Sequence, residues 1–162
     1  MNASVHAFIR KPVGLAPRGS LVFVEGGWAL RTWFETPNGD RENILYLTGD
    51  KAGSITLAPD IPGLVISEEY SADFRVGDLT SRLVGEDRRK ALNLLFWDDA
   101  PELWGHISSA PEHKYGFNLN GAPAIARDYH ESYPSYYVDE FEVWLMKDGV
   151  QIGEESIFKV GE

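Results

Sequence analysis

The chain has no cysteine among its 162 residues. Disulfides and thiolate metal sites are therefore excluded, and a reducing compartment is permitted. Histidine is scarce as well, with only His6, His106, His113 and His130. They form no HExxH and no helical i,i+4 pair, so the spacing supplies no metal ligand set, and no metal or cofactor is expected. Signatures of acyl transfer and of phosphate loops are missing. Long apolar runs are missing too. Nothing approaches the roughly 18 residues of a membrane span, and residues 1–14 lack the apolar stretch of a signal peptide. The expectation is a cytoplasmic protein with no membrane contact.

Positive charge is in short supply. There are 15 Lys+Arg against 25 Asp+Glu, a net of −10. Such a surface repels phosphate and anionic lipid, so nucleic acid is not expected as a partner. The first 31 residues run the other way, with Arg10, Lys11, Arg18 and Arg31 against Glu25.

Apolar and aromatic residues are plentiful, at 43% and 12%. That content suits an ordinary packed core, and the length suits one domain over 1–162. Short β-rich runs follow one another through the first half. Ser4–Arg10, Leu21–Glu25, Trp28–Thr36, Asn43–Leu47, Ser54–Leu57 and Leu64–Ser67 read as strands. Gly26-Gly27 and Pro37-Asn38-Gly39-Asp40 read as turns between them. The pattern predicts an antiparallel meander.

The middle reads differently. Val76, Leu79, Leu83, Val84, Ala91, Leu92, Leu95 and Phe96 recur at intervals of three and four, with a gap before Ala91. That spacing predicts an amphipathic helix over about 78–97, capped by Asp78 or Thr80. Glu102–Ile107 reads as a short helical turn, and Pro111–Ser135 as mostly loop with a strand at Lys114–Asn118. The fold class expected is α+β: a meander sheet packed against one main helix, with a C-terminal β-hairpin.

That hairpin is the clearest element. Tyr136–Met146 and Val150–Val160 flank Lys147-Asp148-Gly149, and Asp-Gly favours a two-residue type I′ turn. A regular ladder from this turn pairs Lys147 with Val150, Leu145 with Ile152, Val143 with Glu154 and Phe141 with Ser156. Phe141, Val143 and Leu145 then face the core with Ile152 and Phe158. The outer face carries Tyr136, Glu140, Glu142, Trp144 and Met146, with Trp144 across from Gly153 and Glu142 across from Glu155. Two carboxylates directly opposed are destabilising, so this pair needs a cation from the chain or from a partner.

Acid and aromatic residues are concentrated here. Residues 98–162 hold 13 acids and 4 bases, a net of −9. Residues 128–140 alone hold four tyrosines and four acids. Tyrosine and tryptophan supply contact area at little entropic cost, and acids steer a cationic partner. The expected partner-binding residues are Asp128, Glu131, Tyr133, Tyr136, Tyr137, Glu140, Glu142, Trp144 and Glu155. They suggest a small acidic binding or inhibitor protein of the immunity type, neutralising a basic toxin or enzyme. No catalytic residue is expected. The alternative is a carbohydrate- or nucleotide-binding domain or small hydrolase, with Asp98, Asp99 and His106 beside Trp97 and Trp104.

Overall fold

The computed structural model describes residues 5–76, 92–97, 100–124, 136–138 and 140–161. The strands are β1 (Phe8–Pro12), β2 (Leu21–Val24), β3 (Gly27–Thr36), β4 (Gly39–Tyr46), β5 (Ser54–Leu57), β6 (Pro62–Ile66) and β7 (Ser71–Val76). They continue with β8 (Asn93–Trp97), β9 (Ala100–Ile107), β10 (Ala110–Asn118), β11 (Tyr136–Val138), β12 (Phe141–Lys147), β13 (Val150–Gln151) and β14 (Phe158–Val160). Among the described residues these form a ten-stranded sheet, in the order β1-β6-β2-β3-β4-β5-β9-β8-β11 with β10 also on β9, and a four-stranded sheet built around β12. Also among them, no helix reaches seven residues, and none is long and apolar enough to cross a membrane.

The α+β expectation is therefore wrong: the protein is nearly all β. Of the helix expected over about 78–97, residues 77–91 lie outside the described residues. Its C-terminal end is β8, paired with β9 on one side and β11 on the other. Adjacent Leu94 and Leu95 are each 1% exposed, as in a strand covered on both faces. A continuous apolar run satisfies helical spacing and buried-strand spacing alike, and here the strand won. Glu102–Ile107, expected as a helical turn, belongs to β9, whose backbone is paired by β8 on one side and β10 on the other. The loop expected from Pro111 starts later, because β10 runs from Ala110 to Asn118 with a bulge between Ala110 and Lys114.

The meander holds from β2 to β5, each strand antiparallel to the next. β6 then returns to lie beside β2, and β5 takes β9 as a parallel neighbour. The first turn sits one residue earlier than expected. Val24 pairs with Gly27, so Glu25 and Gly26 form the turn, with φ of 50° and 80°. Gly27 is held inside the strand because a Cβ there would lie 2.6 Å from the Thr48 carbonyl oxygen. The left-handed Glu25 is tied down by Lys51 Nζ at 2.8 Å and the Tyr46 hydroxyl at 2.5 Å.

The two sheets share one apolar cluster. Leu21, Trp28, Leu30 and Leu45 of the large sheet meet Phe141, Val143 and Leu145 of the small one. Phe158 stacks on Trp28 with centroids 5.6 Å apart. The opposite face of the large sheet is covered by Val13 and Ala16, which join Val22, Val24, Ala29, Ile44 and Val65. Arg31 fastens this cover. It is 2% exposed and donates to the carbonyls of Ala16 and Asn43 and to Glu42. Arg18 binds Glu42 and Asp40 from outside. The basic N-terminal segment thus spends two of its four cations on the fold.

Candidate functional site

The turn after β12 forms as expected, but the strand expected from Tyr136 starts only at Phe141, because Tyr136–Val138 pair with β8 of the large sheet. Asp148 and Gly149 take left-handed φ of 51° and 75°, and Lys147 pairs with Val150. The regular ladder ends at Ile152, whose N–H donates to the Leu145 carbonyl. Residues 153–156 then leave the sheet, and the chain rejoins it at β14 with Val143 beside Phe158, Glu142 beside Lys159 and Phe141 beside Val160. Gly153, with φ of 87°, lies at the departure point.

This excursion overturns the expected pairings beyond Ile152: Val143 lies beside Phe158 rather than Glu154, and Phe141 beside Val160 rather than Ser156. Glu142 lies across from Lys159 rather than Glu155, and their ion pair measures 2.9 Å. Gly153 is not paired with Trp144 in the ladder. Ile157, which the regular ladder would put on the outer face with Glu155, is buried. The expected core face does hold: Phe141, Val143 and Leu145 are at most 3% exposed.

β7 completes the outer face from the other side. Its sequence Ser71-Ala-Asp-Phe-Arg-Val76 alternates polar and apolar residues. Ala72, Phe74 and Val76 pack on the core, whereas Ser71, Asp73 and Arg75 turn outward. Register sets Arg75 beside Glu142 and Asp73 beside Trp144. The Arg75 guanidinium lies over the Trp144 ring, 4.9 Å from its centroid. It donates to Asp73 at 2.8 Å and to Gln151 at 2.7 Å. The Trp144 indole N–H donates to Glu142 at 2.9 Å.

The result is a continuous ladder across the sheet: Lys159, Glu142, Trp144, Arg75, Asp73. The Lys159 ammonium, then the Trp144 N–H, hold the Glu142 carboxyl below the usual carboxylate range, and the Arg75 charge adds to this. Glu142 therefore stays an anion flanked by cations. At one end of the ladder, Arg75, Glu140, Glu142 and Lys159 line an open groove of about 320 Å³.

The other expected residues divide. Glu140 and Glu155 are exposed, the latter on the excursion next to exposed Glu154. Tyr136 and Tyr137 belong to β11 of the large sheet, with backbone partners Phe96 and Leu95. They are on a different sheet from Glu142 and Trp144. Asp128, Glu131 and Tyr133 lie outside the described residues, as do Asp98 and Asp99. His106 is half-buried on β9, beside Ser54 of β5 and Lys114 of β10. Trp104, placed in the alternative aromatic pocket, is 3% exposed and donates to buried Glu102 at 3.0 Å. Sequence reasoning missed Arg75 and Asp73. The signal was available in the strict alternation of residues 71–76.

What this face offers is a preorganised surface with a half-exposed indole, an oriented guanidinium and acids at its margin. Comparison with protein-family models and with curated proteins finds no match to this chain.

Proposed function

We propose that this chain acts by protein–protein contact, as a small acidic binding protein of the immunity type that neutralises a basic toxin or enzyme. The observation that carries the reading is the Lys159–Glu142–Trp144–Arg75–Asp73 ladder on the outer face of the four-stranded sheet. Tryptophan and arginine are the residue types enriched in binding hot spots. Both are fixed here by neighbours, so little rotamer freedom is lost on docking.

The charges have separate roles. Those inside the ladder balance one another and set its geometry. Glu140 is exposed in the groove at the end of the ladder, Glu154 and Glu155 are exposed on the excursion, and none of the three makes an ion pair among the described residues. Acids at a rim steer a basic partner and act mainly on the association rate. The cysteine-free composition suits the reducing cytosol as the place of action.

The test is affinity capture from host lysate at low and high salt, with mass spectrometry. The expected result is one basic protein, held at low salt and weakened at high salt. Trp144→Ala should abolish its capture. Glu140→Lys with Glu155→Lys should slow association while leaving the fold intact. Capture that ignores both variants would rule out this face.

A further inference from the structure

Strand alternation separates one arginine from the acids beside it in sequence. In Asp40-Arg41-Glu42, successive side chains leave opposite faces of β4. Asp40 and Glu42 turn to the face where Arg18 binds both, with its Nη2 2.8 Å from Asp40. Buried Arg31 reaches Glu42 on that same face at 3.0 Å. Arg41 turns the other way. It is exposed, and among the described residues its guanidinium makes no hydrogen bond, ion pair or ring contact.

Arg41 borders a groove of about 360 Å³, within the roughly 300–1,000 Å³ usual for small-ligand sites. The apolar lining comes from Phe34, Ile55, Leu57 and Ile107. Ser108 and Ser109, from the turn between β9 and β10, add two hydroxyls at the margin. Leu57 is 57% exposed, so a large apolar surface is left open to water. Phe34 is braced edge-on by Tyr115, with centroids 4.8 Å apart, and by Phe117 at 5.1 Å. Asn43 and Thr56 complete a lining that is mixed, part apolar and part polar. On a chain of net charge −10, an arginine without a carboxylate beside such a groove is a charge left for something else.

We infer that this groove binds a small amphipathic anion. An apolar chain or flat ring rests against Phe34, Leu57 and Ile107, and an acidic head meets Arg41 and the Ser108–Ser109 hydroxyls. The planar guanidinium fork matches a carboxylate, sulfonate or phosphate head. This site lies on the large sheet and does not depend on the protein-binding face of the small one.

The intact protein is titrated with 8-anilinonaphthalene-1-sulfonate, a flat apolar anion, by fluorescence and calorimetry. One saturable site is expected, and Arg41→Gln should weaken it about tenfold, the scale of a hydrogen bond to a charged group. N-phenyl-1-naphthylamine has the rings without the sulfonate, and its weaker binding should not change with Arg41→Gln. Decanoate should displace the dye, decanol should do so only at much higher concentration, and inorganic phosphate should not, because the body supplies part of the binding and the head the rest. Leu57→Ser should weaken both dyes. Both substitutions are at exposed positions, and unchanged near-UV circular dichroism and melting confirm the fold. No saturable binding, binding indifferent to Arg41→Gln, or displacement by phosphate alone would each overturn the inference.

Discussion

The same three-residue pattern, Glu-x-Trp, occurs twice on strands of this protein, with opposite outcomes. In β9, Glu102 accepts from the Trp104 indole at 3.0 Å; in β12, Glu142 accepts from Trp144 at 2.9 Å. Residues two apart on a strand share a face, so the local hydrogen bond is written into the spacing. Its consequence is not. Glu102 and Trp104 are 2% and 3% exposed, and the indole lies over Gly116 of β10, where a Cβ would meet its ring at 2.4 Å. Glu142 and Trp144 remain partly open, with Lys159 and Arg75 beside them. One copy is a piece of the interior, where a carboxylate is costly unless bonded. The other is a surface that can be read by a partner. The position of each strand in its sheet decides which.

The comparison can be broken most easily at the tryptophans. Trp104→Ala should destabilise the protein by about 3–5 kcal/mol in chemical denaturation, as for a buried aromatic. Trp144→Ala should cost about 1 kcal/mol or less. Equal losses would mean the two faces are not distinct. Next in size is Gly116→Ala, whose methyl group collides with the Trp104 ring. It should cost about 1–3 kcal/mol and perturb the near-ultraviolet tryptophan signal.

A smaller effect, of opposite sign, concerns the buried Thr32 hydroxyl, which has no hydrogen-bond partner among the described residues. Thr32→Val should raise stability by about 1 kcal/mol, measured as a higher denaturation midpoint at unchanged slope. No change would show that water satisfies this hydroxyl.

The smallest effect is at the exposed copy. Glu142 titrates below its unfolded value, so its contribution is complete above the ordinary carboxylate range. That contribution is lost as pH falls through the depressed folded value. Lys159→Met should move the Glu142 carboxyl resonance back toward the ordinary range in an NMR pH titration. A resonance that stays in place would assign the shift to the indole N–H instead.

Local signals in the sequence led to the right local structures. Asp148-Gly149 marked its turn, Ser54–Leu57 its strand, and the alternation through Phe141, Val143 and Leu145 its buried face. Failure came where two structures share one pattern. Leu92, Leu95 and Phe96 fit a helical stripe, but the unbroken run Leu94-Leu95-Phe96 also fits a strand covered on both faces, and only its neighbours β9 and β11 decide. Long-range pairing was the other blind spot. Glu142 opposite Glu155 followed from a regular hairpin, and Gly153, a residue that favours a bulge and takes φ of 87° where the chain leaves the sheet, was the one local sign against it. The cation on Glu142 from β7 comes from Arg75, far away in the chain, so no hairpin rule would find it.

The excursion after β13 uncouples two registers. Between Gln151 and Phe158 the chain advances seven residues while β12 advances three, from Met146 to Val143. The extra residues lie off the sheet, where side chains no longer alternate between two faces. β14 re-pairs with β12 by its own contacts, Phe158 against Trp28 in the apolar cluster and Lys159 against Glu142. The register of β14 is therefore not dictated by the turn at Asp148-Gly149, and acids such as Glu154 and Glu155 can be added or removed in the excursion on an unaltered sheet.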